Sequence, residues 1–110
     1  MLDNAQSVAS FLKAMANENR LLILYHLVDG EKSVTELELL LGIRQPTLSQ
    51  QLARLRADGL VATRRAAKLI YYSLASDDAY RVIRLLDSRF GSAPGGDLPK
   101  LAHRELVVAE

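Results

Sequence analysis

Val8, Phe11, Leu12 and Met15 recur three and four residues apart, the spacing of one helix face, and predict a first helix over residues 4–15. Asn17 is placed to cap a second helix, ENRLLILYHLV, in which Leu21, Leu22, Ile23, Leu24 and Leu27 leave almost no polar side. A helix apolar nearly all round belongs at the centre of a core. Asp29-Gly30 ends it. Ser33-Val34-Thr35-Glu36 has the S-x-x-E form of a capping box and opens a short third helix that stops near Leu41-Gly42. Pro46 suits the first turn of a fourth helix, Gln45–Arg56, where a missing N–H costs nothing. Leu48, Leu52 and Leu55 form the inward stripe of that helix, and Asp58-Gly59 terminates it.

The residue types then change. Leu60–Arg65 and Leu69–Leu74 carry β-branched and aromatic residues and predict a hairpin with a short basic tip, Ala66-Ala67-Lys68. The tip lacks Asn-Gly or Asp-Gly, which leaves the turn type open. Ser76 can cap a last helix, DDAYRVIRLLDSRF, with Asp77 and Asp78 favourably placed in its first turn. A breaker cluster from Gly91 to Gly96 follows. The expected fold class is mainly α with a small β-hairpin, in the order α-α-α-α-β-β-α. Residues 1–91 are expected to form one domain, and residues 92–110 a tail that is helical in part or disordered.

Composition narrows the class. The 110 residues suffice for one compact domain and not for two. There is no cysteine, so disulfides, thiolate metal sites and thiol redox chemistry are excluded within the chain. The first residues, MLDNAQSVASFLKAM, lack the basic and apolar blocks of a secretory signal, and no apolar run reaches the roughly 20 residues that span a membrane. A cytoplasmic protein is expected.

The net charge of +1 says little, but its distribution says more. Between Arg44 and Lys68 lie six basic residues, Arg44, Arg54, Arg56, Arg64, Arg65 and Lys68, against the single acid Asp58. A basic block in a near-neutral chain is the footprint that a phosphate backbone requires.

Two helices joined at Leu41-Gly42-Ile43-Arg44 and followed by a basic hairpin make a winged helix-turn-helix. A helix lying in a major groove must bury one side and present polar groups on the other. Here the leucines face inward, while Gln45, Thr47, Ser49, Gln50, Gln51 and Arg54 supply the polar surface. Gln can pair with adenine and Arg with guanine, and the helix N-terminus, with Arg44 beside it, can meet a phosphate. Arg64, Arg65 and Lys68 would touch the backbone or a neighbouring minor groove. Arg56 lies too far from the helix start to read bases and belongs to the scaffold. No nucleophile–base pair, phosphate loop or metal cluster is present in the pattern, so no enzyme is expected.

The segments LKAMANENRLLILYHL, KSVTELELLLGIRQPTLSQQLARLRADGLVATRR and IYYSL resemble the ArsR/SmtB family of small bacterial winged-helix repressors. The resemblance runs from Phe11 to Ser76, about two thirds of the chain, and is nearest to the branch of HlyU, NolR and BigR-type regulators. It implies a homodimer joined through its first and last helices. Val8, Phe11, Leu12 and Met15 would then pack with Val82, Ile83, Leu86 and Phe90 across a two-fold axis. It also implies double-stranded DNA, as an inverted-repeat operator, for a partner. The alternative is an anti-repressor or protein-interaction module that displaces another DNA-binding protein.

The family's sensing sites can be checked residue by residue. The arsenic-type positions read Ser33-Val34-Thr35, which carry no thiol. The zinc-type helix holds Asp77, Asp78 and Asp87 but no histidine. The dithiol positions of the sulfide-responsive type correspond to Tyr25 and Gly91. No metal or other cofactor is therefore expected, and the effector is left open. His26 reads as a structural histidine in an apolar helix, and His103 lies in the tail beside Glu105.

Overall fold

A computed structural model describes residues 2–91. A single 3-10 turn, Leu2–Asn4, leads into five helices and three strands: α1 (Ala5–Met15), α2 (Glu18–Leu27), β1 (Lys32–Ser33), α3 (Val34–Leu41), α4 (Gln45–Ala57), β2 (Val61–Ala66), β3 (Leu69–Leu74) and α5 (Asp77–Phe90). The tail from residue 92 onward, with His103, lies outside the described residues.

Local chemistry sets the helix boundaries. Asn17 Oδ1 accepts from the Arg20 N–H at 3.0 Å and starts α2. Both halves of the capping box form at α3. Ser33 Oγ accepts from the Glu36 N–H at 3.1 Å, and Glu36 Oε1 accepts from the Ser33 N–H at 2.9 Å. Ser76 Oγ accepts from the Ala79 N–H at 3.0 Å and starts α5. The stop of α4 is a Schellman motif. The Leu60 N–H reaches Leu55 O at 2.9 Å, and the Gly59 N–H reaches Arg56 O at 3.0 Å. Gly59 takes φ 77° to close it, a conformation that side chains with a Cβ rarely adopt.

The leucine stripe of α4 meets the apolar α2 at the centre of the molecule. Ile23, Leu24 and Leu27 of α2, Leu37 of α3 and Leu48, Leu52 and Leu55 of α4 are all fully buried. Leu60, Val61, Ala79 and Ile83 close this core from the sheet and α5. Helix α2 therefore touches every layer, as its lack of a polar side predicts.

The sheet differs from the expected hairpin in one respect. Strand β3 lies between β2 and a short β1, all antiparallel, with Lys32 opposite Tyr72 and Ser33 opposite Tyr71. Two residues cannot show an alternating pattern, so this strand has no sequence signal. Its effect is to tie the start of α3 to the wing. The hairpin pairs Val61 with Leu74 through to Ala66 with Leu69, leaving Ala67-Lys68 as a two-residue loop. Ala67 takes φ 56°, in the left-handed region that two-residue hairpin loops use.

Candidate nucleic-acid interface

Helix α4 is sharply divided. Leu48, Leu52 and Leu55 are sealed in the core, whereas Gln45, Thr47, Ser49, Gln50 and Arg54 are exposed on the opposite side. Arg44, also exposed, is the N-cap residue and leaves the first N–H groups of the helix without a side-chain cap. Those groups, with Arg44 beside them, form an electropositive end. Ser49 Oγ donates to Gln45 Oε1 one turn back, so these two side chains are oriented together. Arg54 is paired with Asp58 at 2.8 Å, an exposed i,i+4 contact. Arg56 is exposed on the last turn, away from the N-terminal polar cluster.

Gln51 does not join the polar face. It is half-buried, and its Oε1 accepts from the Arg20 guanidinium at 2.8 Å. Arg20 is buried on α2 and also donates through Nε to Ala14 O at 2.6 Å and through Nη2 to Lys13 O at 3.2 Å. It thus clasps the last turn of α1 and the middle of α4 at once. Sequence reasoning missed it because its partners are 6, 7 and 31 residues away. The only hint was a charge inside an otherwise apolar segment.

The wing carries three cations in two states. Arg64 forms a forked ion pair with Glu31, with Nε donating to Oε1 at 2.8 Å, and its guanidinium lies 4.8 Å from the centre of the Tyr71 ring. The Arg64 hydrogen bond holds the Glu31 carboxyl below its ordinary range, and Glu31 in turn raises the Arg64 guanidinium. Arg65 and Lys68 are exposed, and among the described residues their side chains have no hydrogen bond or ion pair.

The eight residues expected at a dimer seam fall into two groups. Val8, Phe11, Val82 and Leu86 are half-buried, while Leu12 is 51% and Phe90 65% exposed. Met15 and Ile83 lie inside the protomer's own core and form its base rather than its surface. Leu85, at 58% exposure, adds to the apolar surface of α5, a contribution its sequence position had not suggested. His26 is half-buried with its ring edge-on to Tyr25. Among the described residues no group of three His, Cys, Asp or Glu side chains could hold a metal. No helix there is long and apolar enough to cross a membrane.

A family model for bacterial regulatory proteins of the arsR family matches residues 17–63, which run from the cap of α2 into the wing. A biofilm growth-associated repressor of Agrobacterium fabrum is 52% identical over 90 residues, spanning 82% of this chain and 77% of the relative. The chain belongs to the arsR family. The transcriptional activator HlyU of Vibrio cholerae is also similar, 49% identical over 86 residues that span 78% of this chain and 80% of HlyU. Its solved structure superposes with a TM-score of 0.78 at 47% identity, covering 82% of this chain and 98% of that one. A homodimeric winged helix-turn-helix DNA-binding domain from Mycobacterium bovis superposes with a TM-score of 0.71 at 34% identity, covering 80% and 82% of the two chains. This arsR-family chain is accordingly a transcriptional regulator built on a winged helix-turn-helix, and not an enzyme.

Proposed function

We propose that this arsR-family regulator is a cytoplasmic transcriptional repressor that binds an inverted-repeat operator as a homodimer. The observation that carries the reading is the division of α4: three leucines sealed inside, and the polar Gln45, Thr47, Ser49, Gln50 and Arg54 exposed outside. That face enters a major groove, with Gln45, Thr47, Ser49 and Gln50 near the base edges and Arg54 further along. Arg44 and the open N-terminus of α4 meet a phosphate. Arg65 and Lys68 approach the backbone directly, while Arg64 must exchange Glu31 for phosphate. The homodimeric relative and the apolar surfaces of α1 and α5 support a seam built from Val8, Phe11, Leu12, Val82, Leu86 and Phe90 over Met15 and Ile83.

A mobility-shift assay against the upstream region of its own gene is the first test. A retarded complex at low salt is expected, and absence of binding to any inverted repeat would refute the reading. Lys68→Ala should weaken binding to all sequences alike and reduce the slope of log affinity against log salt by about 1. Gln50→Ala should weaken operator binding by about 1–3 kcal/mol and leave random DNA unaffected. Equal losses on both DNAs would remove Gln50 from base reading.

A further inference from the structure

Across the sheet, β1, β3 and β2 set Ser33, Tyr71 and Arg64 in one row. Glu31, just before β1, closes on the Arg64 end of that row. Arg64 Nε donates to Oε1 at 2.8 Å, and Nη2 donates to Oε2. Each carboxylate oxygen thus meets one arm of the guanidinium, and a phosphate fills the same fork with two of its own oxygens. The Arg64 side chain is 57% exposed, so a phosphate can reach it from solvent. Its neighbours on the same face of β2 are Ala62 and Ala66, which are too short to screen it. The Tyr71 ring, its centre 4.8 Å from the guanidinium carbon, holds Arg64 through a contact that leaves the fork's N–H groups free. One partner therefore seats Arg64, and another occupies it.

We propose that Glu31 is an internal stand-in for a DNA phosphate. It fills the Arg64 fork in the free protein and competes with the DNA backbone for it, while Tyr71 keeps the guanidinium in position as the partners change. This rests on the reading of Arg64 as a backbone contact in the proposed function. Two effects follow. Every duplex must displace Glu31 whatever its sequence, so the carboxylate lowers affinity for all of them. It also mutes the salt dependence. A phosphate that takes Arg64 releases a cation from the DNA, but the freed Glu31 draws one back from solution, and the two nearly cancel. Without the carboxylate the release stands alone and adds about 0.9 to the slope of log affinity against log salt.

The test is fluorescence anisotropy of a labelled random-sequence duplex, titrated with the full chain at several salt concentrations. Glu31→Gln keeps the shape of the side chain and removes its charge. It should bind about threefold tighter at low salt, the size of an exposed ion pair, with a slope steeper by about 1. In an Arg64→Gln background the same substitution should change neither affinity nor slope. In the Glu31→Gln background, Tyr71→Leu should remove most of the gain, and Tyr71→Phe, which keeps the ring, should retain it. A weaker complex for Glu31→Gln overturns the proposal, because Glu31 would then be what holds Arg64 ready for DNA. An unchanged slope overturns it too. So does a gain of the same size without Arg64, which would make Glu31 a simple repulsive charge. Equal gains in the Leu and Phe variants would remove Tyr71 from its part. The random duplex needs no operator. The predicted changes without any preference for an inverted repeat would sink the repressor reading and leave this one standing, and a selective operator complex indifferent to Glu31→Gln would do the reverse.

Discussion

A buried arginine with no carboxylate beside it must be held by neutral acceptors, and Arg20 is held by two carbonyls of α1 and the side-chain amide of Gln51. Removing it leaves those acceptors inside the protein without a donor. Arg20→Met should therefore cost about 3 kcal/mol, read from the midpoint of urea unfolding. Asp87 gives a prediction of opposite sign. Its carboxyl is raised in the folded state, so the native protein binds more protons than the unfolded chain once pH passes the ordinary value of 3.8. The favourable contribution is complete below that value and is lost as pH rises through the folded pKa. Asp87→Asn should accordingly raise Tm at neutral pH, and the gain should shrink to nothing in acid. A gain that is the same at both pH values would show that ionisation is not its cause. Neither residue's environment was legible in the sequence, because both are defined by partners, or by a lack of partners, on other helices.

At the scale of elements the sequence was far more informative. Each helix start that carried a side-chain oxygen at the right place, at Asn17, Ser33 and Ser76, forms where that chemistry puts it. These signals act within three residues and survive in any fold. The wing was legible only as a hairpin. Its pairing with β1 joins Ser33 to Tyr71, and the Glu31 carboxyl reaches Arg64 from 33 residues away, so nothing local announces either contact. The Ala67-Lys68 loop was unreadable for a different reason: alanine occupies a position whose φ of 56° favours glycine. Ala67→Gly should stabilise the domain by about 1 kcal/mol, offset slightly by the added freedom of the unfolded chain. A lower melting temperature for the variant would show that the loop does not carry this strain.

For the whole molecule the distribution of apolar surface matters most. Leu12, Leu85 and Phe90 are more than half exposed on the two helices assigned to the dimer seam. The resemblance to the ArsR/SmtB family implied a seam on α1 and α5 that took in Leu12 and Phe90 but not Leu85, and it did not separate Met15 and Ile83, which serve the protomer's own core, from the residues left outside. Leu12→Asp should give a monomer by sedimentation at micromolar concentration and lower operator affinity at least tenfold, as expected when a central interface residue is lost. A stable dimer with unchanged affinity would move the seam elsewhere. The clasp at Arg20 then bears on how such a dimer can be controlled. Its partners are carbonyls and a carboxamide, none of which titrates near neutrality or reacts with mild oxidants. The joint between the end of α1 and α4 is thus insulated from acid and oxidative stress. At this joint a change of pH or a mild oxidant meets no group that it can charge or oxidise, so the hold of Arg20 on α1 and α4 is the same under either.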